Sequence, residues 1–407
     1  MSSILTNNGA MVALQTLQSI NKNLGSTQSQ ISTGKAVGSA KDNAAVWAIS
    51  KTMESDVAGF KAISSSLSLG ESTTSVARQA SETVTDLLTQ MKGKIVASQE
   101  GNVDREKIQT DIKALREQIG SVVGAAQFNG LNMLSNKETT SGSGDVKVLS
   151  SLDRSSSGVA ASDISVGKQD LGTTAAAAGT TGLAIGGAAV ADGNTGEAFT
   201  IEALTDMENV AGASFKVTGS SMGLSEDVTY VARDGDTVES IRKEMISRLN
   251  FQAKADEVDI TFSANATAGQ VDFTNNTGAA VTATASQSAV DGTENDGTIG
   301  GGLEMISKFD VTTEAGAKAA LEGIESMIQT SIDASASFGS AQGRIETQKD
   351  FIGGLTDALK SGIGTLVDAN MEEASARLQA LQVQQQLATQ SLSIANQAPQ
   401  SILSLFR

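Results

Sequence analysis

The residues that could carry chemistry in this sequence are carboxylates and glycine clusters, because the chain contains neither histidine nor cysteine. Without imidazole or thiol groups, Ser-His and Cys-His nucleophilic catalysis, imidazole metal ligation and disulfide formation are excluded. Asp234-Gly235-Asp236 could begin a calcium-binding loop, but the remaining ligand spacing of an EF-hand is missing. We therefore interpret this segment as a turn followed by a helix cap.

Gly300-Gly301-Gly302 precedes a helical pattern and could suggest a phosphate-binding loop. A P-loop also needs a Lys-Ser/Thr pair after its glycines, and none follows, so we interpret the segment as a return linker. Paired carboxylates are plentiful, but nothing places two of them across a cleft for glycosidase chemistry. The sequence predicts a protein that is not an enzyme and needs no cofactor or metal. The alternative left open is an enzyme hidden in the central part of the chain.

The charge distribution divides the chain into a middle and two ends. The net charge of the 407 residues is −17, which argues against nucleic acid as a partner. Residues 141–304 carry 23 acidic and nine basic residues, whereas the rest of the chain carries 23 and 20. We expect an acidic, solvated middle module between nearly neutral ends. No apolar stretch approaches the roughly 20 residues of a membrane helix, and the opening residues do not resemble a cleaved secretory signal.

The elements that organise the sequence are two helices at its ends. From Val367, steps of four and three residues meet nine positions, of which eight are apolar, and this pattern predicts a helix that lies along another helix. The nine positions are Val367, Met371, Ala374, Leu378, Leu381, Gln385, Ala388, Leu392 and Ala395. The rest of the surface is rich in glutamine, and no charge follows Arg377 until Arg407. Such a neutral surface suggests contact with other protein on several sides.

The N-terminus has a matching pattern. Leu14, Leu17, Leu24 and Ile31 share a heptad face with Asn21 and Gln28, and Lys22 and Lys35 are the only charges in the first forty residues. We predict that helices at 1–35 and 366–407 pair. Inside them, helices at 44–97 and 104–126 and a third at 312–361 are predicted to form an inner bundle.

Residues 141–304 have the composition of a small α+β module. One short helix is predicted around Ile241–Leu249, together with strands at Val146–Leu149, Ile164–Val166, Phe199–Leu204, Ser214–Thr218, Asp227–Ala232, Val258–Ser263, Gln270–Thr274 and Ala280–Ala285. The predicted fold class is mainly α with an α+β insertion: a nested antiparallel coiled coil and bundle with a β-rich outer module. The predicted domains are a terminal coiled coil at 1–42 and 366–407, a helical bundle at 43–140 and 305–365, and a surface-exposed module at 141–304.

Three separated motifs in this order resemble those of bacterial flagellins, especially those of alphaproteobacteria. Residues 31–34 and 39–45 read ISTG and SAKDNAA, residues 127–130 read QFNG, and residues 395–407 read ANQAPQSILSLFR. The last segment is similar to the family ending ANQ-x-PQ-x-x-L-x-L-x-R, and the resemblance covers about 1–135 and 310–407. Gln30 and Asn43 depart from the family pattern, which usually has Arg and Asp there.

The resemblance implies a secreted structural subunit that polymerises into the hollow, extracellular flagellar filament used for swimming. The terminal helices would line the inner tubes of the filament, and the middle module would project outwards. Implied partners are other copies of the chain, related flagellin subunits, the flagellar type III export apparatus, an export chaperone, and the filament cap and hook-junction proteins. Neither nucleic acid nor membrane insertion is expected. A hook–filament junction protein and a secreted coiled-coil adhesin are the alternatives.

A terminal helix pair of this size lacks a sufficient core, since chains below about 40 residues seldom fold without help. We hypothesise that both tails are largely disordered in the free subunit and fold when neighbours supply the missing surface. The predicted self-assembly interface consists of Leu14, Leu17, Leu24, Ile31, Met371, Leu378, Leu381, Leu392, Leu403 and Leu405. An ordinary intramolecular coiled coil is the alternative for these leucines. Gln385 could set the register of the helices, and the alternative is that it is a tolerated defect in the heptad.

Overall fold

A computed structural model describes residues 7–140, 142–155, 158–179, 183–201, 211–288 and 297–405, without the side chains of 154, 155, 159 and 398–405. The chain forms two compact units, one of residues 1–64 with 350–407 and the other of residues 65–349. The predicted fold class is confirmed: long helices from both ends of the chain flank a middle region that contains the strands. The division into three domains stays a prediction.

The first unit contains the terminal helices α1 (Asn8–Thr33) and α6 (Met371–Leu405). Asn7 caps α1, because its side chain accepts a hydrogen bond from the amide of Ala10 at 3.0 Å. Gly34 ends the helix with a φ of 71°, a backbone conformation that suits glycine.

The predicted start of the last helix near 366 was too early. Helix α5 (Glu314–Val367) continues to Val367, and α6 begins only at Met371. Between them the backbone bonds to the residues that follow α1: the amide of Ala369 donates to the carbonyl of Gly34 at 2.9 Å, and the amide of Ala36 donates to the carbonyl of Val367 at 2.7 Å. These long-range backbone hydrogen bonds determine where the helix is interrupted between α5 and α6. No local pattern in the sequence indicates them.

The second unit contains the inner bundle of α3 (Arg105–Ala125), the part of α2 (Ala44–Ala97) from residue 65 onwards and the part of α5 before residue 350. Contacts from Arg78 to Gln342 at 3.1 Å and from Lys92 to Glu325 at 2.5 Å show that α2 and α5 run antiparallel. The predicted bounds of α2 and α3 agree with the structure. Buried apolar side chains at helical spacing hold the bundle together, including Leu88, Met91, Ile95, Ile112, Ile119 and Ile324.

A tight hairpin closes α3. Strands β1 (Gln127–Phe128) and β2 (Leu131–Asn132) pair antiparallel around Asn129-Gly130. The φ angles of these two residues are 52° and 81°, as a type I′ turn requires, which explains the Asn-Gly sequence.

The described residues of the β-rich middle region form three antiparallel sheets. Strands β3 (Asp145–Ser155) and β4 (Gly158–Gly167) form a long hairpin. The other strands are β5 (Leu183–Ala184), β6 (Asn194–Thr200), β7 (Ser214–Val217), β8 (Val228–Val231), β9 (Ile260–Ala264), β10 (Gln270–Asn275) and β11 (Ala285–Gln287), and α4 spans Val238–Ala255. One sheet has the order β6-β10-β9 and the other β5-β11-β7-β8.

Two strand predictions need correction. The strand predicted at Phe199–Leu204 runs from Asn194 to Thr200, and residues 202–210 lie outside the described part of the chain. The strand predicted at Ala280–Ala285 is instead a crossover: Val281 bridges Val190, and β11 begins in the other sheet only at Ala285. An apolar pattern looks the same in a strand and in a buried crossover, so the sequence could not show that the chain changes sheets at residues 280–285.

The middle region has its own extensive core, and a buried polar network borders it. Tyr230 lies beneath the guanidinium groups of Arg248 and Arg233, 4.9 and 5.5 Å from the ring centroid. Its hydroxyl donates to Asp236 at 2.6 Å, and Arg248 also pairs with Glu304. Burial raises the pKa of Tyr230, so the phenol stays protonated. No periodic pattern in the sequence indicates this network, because its members come from different elements.

The return linker Gly300-Gly301-Gly302 is held by hydrogen bonds to an earlier part of the chain, and we call it the glycine neck. The amide of Gly301 donates to the carbonyl of Thr174 at 2.8 Å, and the amide of Gly302 donates to Asp170 at 3.3 Å. The returning chain is therefore fastened to the outgoing chain.

Gly70 shows why a glycine occurs in the middle of α2. A β-carbon added to Gly70 would lie 2.7 Å from the side chain of Val148 in β3, whereas one added to Gly93 would meet nothing within 4 Å. The hairpin β3–β4 thus packs directly on the backbone of α2 at Gly70, and Gly93 faces open space.

We expect opposite effects from alanine at these two glycines. Gly70→Ala should lower the free energy of unfolding by about 1–3 kcal/mol through overpacking, and Gly93→Ala should raise it by about 0.5–1 kcal/mol through helix propensity. Urea unfolding of the dilute subunit, followed by circular dichroism, measures both. Adding Val148→Ala to Gly70→Ala should recover part of the loss; equal stabilisation by the two alanines would contradict this packing.

Candidate assembly surface of the terminal helices

Helices α1 and α6 lie antiparallel in the first unit. The side-chain amide of Asn7 donates to the carbonyl of Ala395 at 2.8 Å, and that of Gln385 donates to the side chain of Asn21 at 2.8 Å. The predicted pairing of the two terminal helices is therefore present within one chain. The contact of Gln385 with Asn21 joins two polar residues predicted on the facing stripes, and a role of Gln385 in setting the register of the helices stays a prediction.

The core of this helix pair is small. The buried side chains of Ile20, Leu381 and Ala388 form it, with Leu17 and Leu24 packed alongside. Ile20 was missed by the sequence analysis, which assigned Asn21 to the facing stripe. The same four-three spacing starting from Leu17 reaches Ile20 and Leu24, so the signal was present but was assigned one residue late.

The structure brings together only some of the ten predicted interface residues. Leu17, Leu24 and Leu381 meet in the seam of the helix pair, while Ile31, Leu378 and Leu392 are half-buried. Leu14 and Met371 remain exposed at 48% and 43%. The side chains of Leu403 and Leu405 lie outside the described residues. A role of these ten residues between subunits stays a prediction, and the intramolecular alternative accounts for the contacts of the three seam leucines.

Several large apolar side chains of the terminal helices face away from the seam. Met11 and Val12 are each 64% exposed, Leu387 is 58% exposed and Ile394 is 69% exposed, and Val383 is similarly open. These five residues are absent from the predicted interface because they lie off the heptad positions. Their signal is apolar character at positions where a solvated helix would carry charges.

A groove of about 550 Å³ lies between the two helices and is lined mainly by Val12, Ala13, Thr16, Ile20, Leu387 and Ala388. Its lining carries no charged side chain. In the described part of α1 the single charge is Lys22, and in α6 the charges lie at Glu372, Glu373 and Arg377 only. The surface around the groove is therefore neutral and apolar, which suits contact with protein.

The rival chemistry considered from the sequence finds little support among the described residues. Asp236 accepts hydrogen bonds from Tyr230 and from the amide of Arg233, and the next residue, Thr237, caps α4, as a turn and cap require. In the described ranges no group of three or more acidic side chains could hold a metal ion. No helix within those ranges has the length and apolar character needed to cross a membrane.

The fold and this surface define a class of structural protein whose terminal helices expose apolar area for neighbours. Comparison with known families makes this specific. The N-terminal helical region of bacterial flagellin matches residues 4–139, and the C-terminal helical region matches residues 321–406. The chain is 36% identical to flagellin A of Rhizobium meliloti over the full length of both chains. The chain belongs to the bacterial flagellin family, and it is a structural subunit of the flagellar filament.

Other comparisons are more distant. The chain is 28% identical to flagellin FljM of Caulobacter vibrioides, a match that covers 100% of this chain and 99% of the relative. The crystal structure of the flagellar junction protein FlgL from Legionella pneumophila covers 78% of this chain and 98% of its own, with a TM-score of 0.33 and 8% identity. A likeness at this TM-score does not bear on the fold or the function.

We expect the contact between Asn21 and Gln385 to persist in the polymerised protein. Because the chain has no cysteine, Asn21→Cys with Gln385→Cys provides a unique thiol pair. A short thiol cross-linker should join the pair within one chain, giving a monomer of altered mobility on a denaturing gel. Asn21→Cys with Leu392→Cys is the matched control, since Leu392 lies about 10 Å further along α6. Cross-linked dimers from the first pair would show that these helices pair between chains instead.

Proposed function

We propose that this subunit enters the filament by ordering its terminal helices against those of neighbouring copies. The observation that carries the proposal is the neutral, apolar surface of α1 and α6. Val12 and Leu387 are mostly exposed on the lining of a groove, and Ile394 is mostly exposed further along α6. A single chain leaves this surface in water. A second copy of the same chain is the partner that the filament supplies.

The energetics favour ordering on assembly. Each Val, Leu, Ile or Met that becomes fully buried contributes roughly 1.5–3 kcal/mol, whereas ordering a residue costs about 1–2 kcal/mol in backbone entropy. The intrachain seam buries few large side chains, centred on Ile20 and Leu381. The isolated pair is therefore marginal, and burial of the outward-facing residues by neighbours tips the balance towards the folded helices.

The contacts between copies are proposed to be heterologous. A surface that meets a different surface on the next copy generates an open helical polymer, whereas a self-complementary surface closes as a dimer. In this arrangement Leu14 and Met371 are contact candidates from the sequence, because both remain exposed. Leu17, Leu24 and Leu381 act indirectly by holding α1 and α6 together.

The proposal also includes how the subunit reaches the filament. Export through the flagellar type III apparatus, with an export chaperone, would deliver it outside the cell, where it meets the filament cap, the hook-junction proteins and related flagellins. Membership of the flagellin family supports this route. One proline and no cysteine in 407 residues also suit a threaded chain, because prolyl isomerisation and disulfide exchange are slow.

Limited trypsin digestion tests whether the tails are ordered in the free subunit. We expect cleavage after Lys22 and Arg377 well before cleavage after Arg78 or Lys92, which lie in the bundle, because the terminal pair is marginal. In polymerised protein the two tail sites should be protected. Mass spectrometry identifies the fragments. Tail sites in the monomer that resist trypsin as long as Arg78 does would contradict the proposal.

Removing exposed apolar side chains from α6 should weaken assembly without unfolding the bundle. Val383→Ser with Leu387→Ser changes two residues one turn apart, and we expect the critical concentration for polymerisation to rise at least about tenfold. Sedimentation of the polymer measures this concentration. Gln382→Ser with Gln386→Ser has the same spacing on the same helix and should change it little. Equal effects of the two pairs would mean that apolar burial is not the driving contact.

A further inference from the structure

All the sulfur in this chain is methionine sulfur, since its 407 residues include 11 methionines and no cysteine. Thioethers are then the groups that a peroxide oxidises most readily. Nine of the methionines lie in the described ranges, and most of these are shielded from solvent. Six are buried, at residues 91, 133, 222, 245, 305 and 327, and Met53 is half-buried. Met1 and Met207 are outside the described residues.

Met11 and Met371 differ from the other described methionines. Met11 in the second turn of α1 is 64% exposed, and Met371, the first residue of α6, is 43% exposed. Oxidation of a thioether requires a peroxide to reach the sulfur, so exposure selects these two side chains. Both belong to the terminal helices, and Met11 directly precedes Val12, which lines the groove.

We propose that Met11 and Met371 are oxidation sites that control whether a free subunit can assemble. A sulfur lone pair attacks one oxygen of hydrogen peroxide, the O–O bond breaks, and the other oxygen leaves as water after proton transfer. The thioether is oxidised by two electrons to a sulfoxide, and the peroxide is reduced. This inference rests on the proposed function, because it needs these helices to be covered by neighbouring copies.

A sulfoxide changes the assembly surface in a defined way. It replaces a flexible apolar group by a polar one, and burying a polar group without a hydrogen-bond partner is unfavourable. In the monomer the new S=O group remains hydrated and leaves the inner bundle intact. In the filament the sulfoxide at Met11 would have to lose water beside a groove whose lining carries no charge, and the one at Met371 would have to lose it at the start of α6, beside Glu372 and Glu373. Neighbouring copies that cover these sulfurs also shield them, so the oxidation would act before assembly and not after it.

The test compares the purified full chain before and after brief treatment with hydrogen peroxide. Peptide mass spectrometry should find sulfoxide at Met11 and Met371 in the monomer and several-fold less in preformed filaments. The oxidised monomer should polymerise about tenfold more slowly or at a higher critical concentration, with unchanged circular dichroism of the bundle. Treatment with methionine sulfoxide reductases and a thiol reductant should restore assembly. The thiol reductant breaks no disulfide here, because the chain contains no cysteine.

Variants separate these sites from other damage. Met11→Leu with Met371→Leu preserves apolar character and approximate volume, so peroxide should change its critical concentration little relative to its own untreated sample. Met133→Leu, at a buried methionine, is the matched control and should remain sensitive. A double variant that stays as sensitive as the wild type would overturn the inference, as would sulfoxidation of both sites without loss of assembly. If the untreated wild type and double variant both fail to polymerise, it is the proposed function that fails.

Discussion

The exposed apolar surface of α1 and α6 is the constraint on which the behaviour of this flagellin depends. Two long helices can bury only one stripe each against one another, and here that stripe is centred on Ile20, Leu381 and Ala388. Val12, Leu387 and Ile394 remain in water. A charged outer face would have made the helix pair soluble by itself. Its neutral outer face leaves other protein as the favourable environment, and in the proposed assembly neighbouring copies provide it.

The middle region, unlike the terminal helices, buries most of its large apolar side chains within its own core. Its sheets and α4 enclose a large apolar core, while its acidic excess keeps the surface solvated. Tyr230, with Arg248 and Glu304, ties the end of β8 and α4 to the returning chain. The glycine neck adds backbone hydrogen bonds between the two crossing segments. The core of the module is therefore complete within one chain, whereas the proposed assembly makes the terminal helices rely on neighbouring copies.

Prediction from the sequence succeeded where the signal was local and periodic. The bounds of α2 and α3, the pairing of α1 with α6 and the flagellin motifs were all readable, because helical spacing repeats over many residues. The candidate site was only partly predictable. Leu14 shares the predicted heptad face but is exposed in this helix pair, so its role between subunits stays a prediction. Ile20 was missed, because a shift of one residue on a helix turns the face by about 100°.

The sequence by itself determined that the chain is a nested helical protein of the flagellin family, with neutral ends and an acidic middle, because composition and heptad spacing are properties of the chain alone. Only the tertiary structure decided which apolar residues lie inward and which outward, where α5 breaks before α6, and why Gly70 must be glycine. These features arise from contacts between residues far apart in the chain. Their geometry depends on the backbone of a distant segment, which no local pattern records.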